Sequence, residues 1–183
     1  MTLWQYACNL YAQEGVELSL LQLQDKHGLI INHLLAGCWA EKNNMSINWC
    51  ALLLKERHTK FCTAVIEPIR MFRREQKSKV LDETYQQLKA LELECEMKHL
   101  LFLERKVIAL SVTLERDSST ENDLSLSLRD YVMTKALFDK GDLPASGSVS
   151  SIGSSRSLDN SLTSLLDSLV RSAGQLAEGM SDC

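Results

Sequence analysis

The sequence contains few prolines, few β-branched residues and no long apolar run. Only two prolines occur in 183 residues, and a leucine-rich chain of this kind favours helix over strand. No apolar run approaches the roughly 18 residues that a membrane-spanning helix requires, and the N-terminus lacks the pattern of a secretory signal. These absences predict an all-α protein that has no membrane segment and is located in the cytoplasm.

The cysteines, the charge and the missing motifs exclude several further classes of protein. None of the six cysteines belongs to a CxxC pair, and their spacing is not that of a disulfide framework, so reduced thiols are expected. The net charge of −4 provides no long-range attraction to nucleic acid or to an anionic membrane. The sequence also lacks a P-loop, a GxGxxG motif, an HExxH motif and a Ser-His-Asp order. We therefore predict no catalytic residues and no cofactor.

The N-terminal part of the chain is predicted to form three short helices. Thr2 and Gln5 have the spacing of a capping box, in which each side chain binds a backbone N–H at the start of a helix. Gly15 and Gly28 are suited to end the first two helices because glycine readily adopts the left-handed conformation. Gly37 lies inside the third helix at a cost of about 1 kcal/mol relative to alanine. Close approach of a neighbouring helix would explain it.

Two long helices are predicted to follow, over residues 49–77 and 82–113. Pro68 lacks a backbone donor and is expected to kink or break the first of them. Because the link between the two is short, they are expected to pack antiparallel. The predicted fold class is therefore all-α: a helical bundle of about five helices with two long antiparallel helices, plus a flexible tail that ends in an amphipathic helix.

The composition changes after the second long helix, and this change suggests how the chain is divided. The last helix has a polar face rich in serine and aspartate, which favours a protein groove over a membrane surface. Docking on its own bundle, docking on a partner and disorder all stay open for it. The predicted units are a helical bundle domain (1–117), a short accessory helix (118–140), a Ser/Gly-rich flexible linker (141–157) and the amphipathic helix (158–183).

Four residues of the second and third helices form a candidate ligand pocket. Gln24, Asp25 and Asn32 interrupt an otherwise apolar helical hairpin, and Trp39 follows on the third helix. The alternative is that the polar groups satisfy helix ends, because buried polar groups are nearly always hydrogen-bonded. No second carboxylate or paired histidine accompanies them, which favours this alternative.

The same hairpin also has the outline of a helix-turn-helix. Its recognition helix would span residues 30–40, which contain neither arginine nor lysine. Residues 1–50 carry a net charge of −2, whereas DNA binding requires cationic contacts to phosphate. The charge therefore disfavours DNA as a partner.

Five cations cluster near the end of the first long helix. Residues 51–80 hold eight basic and three acidic side chains, and such a surface can contact an acidic protein or RNA. The alternative is a solvated helix end, where cations complement the helix dipole. Phe72 is the only interleaved aromatic residue, which weakens the case for nucleic acid. The candidate residues of this basic surface are Arg70, Arg73, Arg74, Lys77 and Lys79.

Two histidine–cysteine pairs at helical spacing, His58 with Cys62 and Cys95 with His99, lie on the two long helices. If the helices brought them face to face, they would have the composition of a Cys2His2 zinc site. Cysteines are common in helical cores, so the spacing is weak evidence for metal. We predict no metal site and keep these four residues as an alternative.

Four segments carry a resemblance to a known family: LWQYACNLY, GVELSLLQLQDKHGLIINHLLAGCW, EPIRMFRR and YQQLKALELECE. Together they resemble an uncharacterised bacterial family that is known as a conserved domain of unknown function, over about residues 1–115. The resemblance implies a small, helical, cytoplasmic bacterial protein with a variable C-terminal tail. It implies no activity and supplies no catalytic residues.

The sequence thus leaves three functions open. The first is a non-catalytic interaction or regulatory protein, whose surface would be the basic helix end and the last helix. The second is a helical protein that binds a small ligand, or an enzyme, with its pocket near Gln24, Asp25, Asn32 and Trp39. The third is RNA binding through the basic segment 70–79. The identity of a protein partner and the oligomeric state stay open.

Overall fold

The computed structural model of the protein describes residues 1–110, 112–113, 123–141 and 158–178, with the side chains of residues 56–59, 112–113, 123 and 177–178 excepted. Most of these residues are helical, so the all-α class is confirmed. Two short strands, β1 (Met45–Ser46) and β2 (Val112–Thr113), pair antiparallel. The helices are α1 (Leu3–Tyr11), α2 (Val16–His27), α3 (Ile31–Lys42), α4 (Trp49–Thr59), a π-helical turn (Cys62–Ile66), α5 (Glu67–Gln76), α6 (Asp82–Leu110), α7 (Asp123–Lys140) and α8 (Asn160–Glu178).

The helix boundaries near the N-terminus follow from local chemistry. Thr2 Oγ1 accepts from Gln5 N at 3.2 Å, and Gln5 Oε1 accepts from Thr2 N at 3.1 Å, so the predicted capping box is confirmed. Gly28 ends α2 with φ of 65°, in the left-handed region where a side chain would add strain. The turn at Gly28 brings α3 back against the bundle.

Gly37 permits close packing of α3 against two other helices. A Cβ atom at this position would lie 2.8 Å from Leu128 Cδ2 of α7 and 3.2 Å from Trp49 Cζ2 of α4. Both distances are shorter than ordinary van der Waals contact. The expected close approach of a neighbouring helix is therefore confirmed, and it explains why a glycine occupies the middle of this helix.

The first of the two predicted long helices, over 49–77, is not continuous. Lys60 has a positive φ of 49°, which a right-handed helix cannot contain, so α4 ends there. The π-helical turn follows, and Pro68 lies in the first turn of α5, where its missing N–H removes no intrahelical bond. Helical periodicity alone does not predict the left-handed conformation of Lys60. The second predicted long helix, over 82–113, corresponds to α6 but ends earlier, at Leu110, and Val112–Thr113 form β2 instead.

One cluster of buried apolar side chains joins the helices. It includes Tyr6, Leu34 and Leu103 from the N-terminal part of the chain and Leu128 and Tyr131 from α7. Helix α8 packs against α2 and contributes Leu162, Leu166, Leu169 and Ala173 to the same cluster. The division of the chain into units stays a prediction, and residues 142–157 of the predicted linker lie outside the described residues. No described helix is both long enough and apolar enough to cross a membrane.

Candidate functional site

A cleft of about 430 Å³ opens beside the turn between α2 and α3. The π-helical turn forms one of its walls, and the C-terminal part of α7 forms another. Its apolar surface comes mainly from Ile30, Leu53 and Phe138. Its volume lies within the range of about 300–1,000 Å³ that is typical of small-molecule sites. The polar and ionisable residues that line it are His33, Lys60, Thr63, Glu67, Lys135 and Asp139.

The floor of the cleft is built on a histidine–tyrosine pair. His33 lies in the first turn of α3 and Tyr131 in α7, and both side chains have no exposed surface. Tyr131 Oη accepts from the backbone N–H of Ile30 at 3.0 Å and lies 3.0 Å from His33 Nδ1. The hydroxyl therefore satisfies a backbone donor at the start of α3 and fixes the orientation of the imidazole. Because His33 is fully buried, it shapes the floor without contacting solvent.

The indole ring of Trp49 packs against this pair. The ring centroids of Trp49 and Tyr131 lie 4.8 Å apart, and those of His33 and Tyr131 lie 5.2 Å apart with the planes nearly perpendicular. Trp49 Nε1 donates to Ser127 Oγ at 3.4 Å. Aromatic contacts of this kind add to the burial energy of the rings and restrict their rotation. The floor of the cleft is thus preorganised.

A second polar link continues from α3 to α6. Asn32 Nδ2 lies 3.1 Å from His99 Nδ1 and donates to the backbone oxygen of Glu96 at 3.3 Å. An amide nitrogen can only donate, so His99 Nδ1 accepts and the ring carries a proton on Nε2. The rings of His33 and His99 meet edge to face at 5.8 Å. We call His33, Trp49, Tyr131, Asn32 and His99 the histidine–tyrosine cluster.

Lys60 and the π-helical turn shape one wall of the cleft. The carbonyl of Lys60 accepts from Ala64 N at 2.7 Å and from Thr63 Oγ1 at 3.4 Å. A left-handed conformation at a residue other than glycine disfavours the fold by about 1–2 kcal/mol, and such strain is concentrated at functional sites. Single π-helical turns show the same association with functional sites. Both local irregularities border this cleft.

A smaller pocket of about 130 Å³ adjoins the cleft and shares Gly28, Ile30, Cys62 and Glu67 with it. Gln24 and Asn32, two of the four sequence-predicted pocket residues, line it. Asp25 instead lies on the surface, where its Oδ1 is 3.4 Å from Arg74 Nη2. Trp39 is buried elsewhere and donates from Nε1 to the backbone oxygen of Met1 at 3.2 Å. The structure therefore brings two of the four candidates together.

Most residues around the cleft were not among the sequence candidates, and they include His33, Lys60, Tyr131 and Lys135. His33 had a detectable signal, because it is a polar residue next to Asn32 in an apolar helix. Tyr131 and Lys135 lie about 100 residues further along the chain, in the segment that was predicted to be a short accessory helix. Only the packing of α7 against α3 and α4 reveals their connection with the cleft.

The basic end of α5 is largely occupied by ion pairs with α6. Arg70 Nε lies 2.9 Å from Glu92 Oε1, and Arg70 also bonds to Glu96. Arg73 bonds to the other carboxylate oxygen of Glu92, and its Nη1 donates to Tyr85 Oη at 2.9 Å. We call Arg70, Arg73, Tyr85, Glu92 and Glu96 the arginine–glutamate network. Two of the five predicted surface cations are thus neutralised by carboxylates of α6, and Arg74 forms an exposed ion pair with Asp25 of α2.

Glu92 is the centre of this network. Its side chain is only 9% exposed. Burial alone would raise the pKa of the Glu92 carboxyl, but the hydrogen bonds from Arg73 and Arg70 and the charges of both outweigh burial, so the pKa lies below its ordinary value. Of the remaining basic candidates, Lys77 and Lys79 are exposed and form no ion pair with the described residues. RNA binding through this segment therefore stays a prediction, and few unpaired cations support it.

The zinc alternative also stays a prediction. Within the described residues, no three histidine, cysteine, aspartate or glutamate side chains form a group that could hold a metal ion. Cys62 and Cys95 are buried, and His99 is bonded to Asn32. The side chain of His58 lies outside the described residues.

A family model for proteins of unknown function, DUF2390, matches residues 2–103. The chain belongs to this family. The match extends from α1 into α6 and confirms the resemblance to a conserved domain of unknown function, whereas the bacterial origin and cytoplasmic location stay predictions. No curated protein and no solved structure matches the chain. The smaller pocket lies entirely within the DUF2390 match, whereas Tyr131, Lys135, Phe138 and Asp139 lie beyond it.

Proposed function

We propose that this DUF2390 protein is a non-catalytic protein that binds a small, partly apolar molecule in the cleft beside the α2–α3 turn. The observation that carries this proposal is the 430 Å³ cleft with its preorganised floor. Ligand sites combine apolar walls with a few fixed polar groups, and the lining of this cleft has that composition. Binding is favoured over catalysis because His33 is fully buried and its Nδ1 is paired with Tyr131.

Indole provides a test, because it is apolar, neutral and small enough for the cleft. In ¹H–¹³C NMR spectra of the full chain, indole is expected to shift the methyl resonances of Ile30 and Leu53. Thr63 is exposed on the wall, so Thr63→Trp should fill the cleft and abolish these shifts. Thr84→Trp places the same bulk on the exposed start of α6 and should leave them unchanged. Equal shifts in both variants would contradict the proposal.

A protein partner is a second candidate function, and it is supported by the turn between α5 and α6. Met71, Phe72 and Leu81 expose 62%, 52% and 80% of their surface there, beside the exposed Lys77 and Lys79. Exposed apolar groups among cations are suited to an acidic, partly apolar partner. Affinity purification should recover a partner that Leu81→Ser loses and that Leu126→Ser, at another exposed leucine, retains. Retention by both variants would reject this surface.

We also infer that α5 and the first half of α6 pack antiparallel. Arg70 pairs with Glu92 and Glu96, whereas Arg73 pairs with Glu92 and reaches Tyr85. The partners move backward along α6 as the arginines move forward along α5, which supports an antiparallel register. The 141–157 linker is proposed to be flexible, and limited proteolysis should cut it first. A cytoplasmic location is likewise proposed, and cell fractionation tests it.

A further inference from the structure

Four charged side chains line the cleft, but only two of them are open to a ligand. Lys135 Nζ lies 2.7 Å and 2.6 Å from the two carboxylate oxygens of Asp139, so these two charges satisfy each other. Lys60 and Glu67 are exposed, and neither forms an ion pair with any described residue. Counted over the side chains that the structure describes, the cleft therefore presents one open positive charge and one open negative charge.

The two open charges occupy opposite ends of one wall. Lys60 precedes the π-helical turn, and Glu67 is the first residue of α5, directly after that turn. The backbone of Lys60 is fixed, since its carbonyl accepts from Ala64 N at 2.7 Å. The backbones of the two residues are thus separated by the length of the turn. A ligand that contacts both needs opposite charges at separate points.

The lining argues against a ligand of a single charge sign. A phosphate or a dicarboxylate would need at least two open cations, but Lys135 is already paired with Asp139. A polyamine would need two open carboxylates, and the same pair removes one of them. The apolar side chains of Ile30, Leu53 and Phe138 also line the cleft. These surfaces are suited to an apolar ligand body.

We propose that the ligand is a small zwitterion with an apolar body, of the size of an apolar dipeptide, whose carboxylate contacts Lys60 and whose ammonium group contacts Glu67. The inference rests on the proposed function, because it names the chemical class that the same cleft binds. It adds a charge requirement that the apolar probe indole lacks. The two claims can therefore fail separately.

The test uses the full chain and L-leucyl-L-phenylalanine as the probe, with affinity measured by titration calorimetry or NMR. Three derivatives remove charges one at a time: the N-acetyl form, the C-terminal amide and the doubly capped form. Each removed charge is expected to weaken binding about fivefold, as for partly exposed ion pairs. Added salt should reduce the difference, because it screens exposed charges.

Matched variants assign each charge to its partner. Glu67→Gln should bind the free and N-acetyl dipeptides equally and still discriminate against the amide. Lys60→Asn should bind the free dipeptide and the amide equally and still discriminate against the N-acetyl form. Asparagine tolerates the left-handed conformation at this position, so the wall should keep its shape. Retained indole shifts in each variant verify that the cleft is intact.

The outcomes separate this inference from the proposed function. If indole binds but all four dipeptide forms bind equally, or none binds, the zwitterion is rejected and the cleft is still a ligand site. If indole also fails to bind, both proposals are rejected. If capping each end weakens binding in the wild type, Glu67→Gln loses only the response to N-acetylation and Lys60→Asn loses only the response to amidation, the inference holds as stated.

Discussion

Two polar regions of this molecule use opposite chemistry. The arginine–glutamate network joins α5 to α6 through charged side chains, centred on a carboxylate that is 9% exposed. The histidine–tyrosine cluster joins α3 to α6 and α7 through hydrogen bonds among rings, an amide and backbone groups. In the arginine–glutamate network, arginines that the sequence suggests are free to bind a partner form ion pairs within the protein. The histidine–tyrosine cluster supports a cleft that the pattern of apolar residues in the sequence does not predict.

The comparison shows what a run of charge can and cannot indicate. Residues 70–79 contain five cations, but the carboxylates that neutralise two of them lie about 20 residues away on α6. In contrast, the cleft has two open charges of opposite sign and no net charge signal in the sequence. Whether a charged side chain can contact a partner or ligand therefore depends on whether it stays unpaired after folding. Substitutions in each region test this difference.

The largest effect is expected from Glu92→Gln. The substitution removes the charge that Arg70 and Arg73 share, and it leaves two half-buried guanidinium groups without their main partner. Removing one member of a buried ion pair typically lowers the free energy of unfolding by about 3 kcal/mol. Chemical denaturation measures this change. Glu94→Gln, at an exposed pair with Lys98, is the control and should leave the denaturation midpoint near that of the wild type.

A smaller effect is expected from Tyr131→Phe in the histidine–tyrosine cluster. The variant keeps the ring but removes the hydroxyl, so the backbone N–H of Ile30 and Nδ1 of His33 each lose a partner. Burying unsatisfied polar groups should lower the free energy of unfolding by about 2 kcal/mol. Tyr11→Phe removes a hydroxyl that makes no hydrogen bond to described residues. If both variants lose the same stability, the hydroxyl of Tyr131 has no special role.

Mild acid should lower the free energy of unfolding less than either substitution, because the lowered pKa of Glu92 keeps part of its carboxylate ionised. The pKa of Glu92 in the folded state lies below its ordinary value of 4.5, since the arginine contacts outweigh burial. The stabilisation that this shift contributes is complete above pH 4.5 and is lost as the pH falls through the lowered pKa. The stability difference between the wild type and Glu92→Gln should therefore narrow below pH 4.5. A constant difference across that range would contradict this assignment.

Local patterns predicted the helical class, the capping box and the close approach at Gly37. These features depend on side chains that are a few residues apart in the sequence, or on the absence of one side chain, so they can be predicted from the sequence. The smaller pocket was partly predictable for the same reason, since Gln24 and Asn32 flank the Gly28 turn. Asp25 and Trp39 share the hairpin but face other surroundings. Helical periodicity could not distinguish these orientations.

The cleft was harder to predict because its parts are distant in sequence. Tyr131 reaches Ile30 and His33 across about 100 residues, and no local pattern encodes that contact. The break at Lys60 was hidden for another reason. Lysine is an ordinary helix former, so its left-handed conformation must come from tertiary packing that outweighs a local preference. The shape of this wall of the cleft is therefore set by tertiary packing and cannot be predicted from local sequence preferences.

The smallest effect is expected from Lys60→Gly, and it has the opposite sign. Glycine adopts the φ of 49° at this position without strain, so the substitution should raise the free energy of unfolding by about 1 kcal/mol. Thermal denaturation measures the gain, and Lys55→Gly in the right-handed helix α4 should instead lower stability by about 1 kcal/mol. If both glycines destabilise the protein, the wall at Lys60 is unstrained. If Lys60→Gly alone stabilises it, the native lysine persists against a stability cost, which is the behaviour expected of a residue kept for binding.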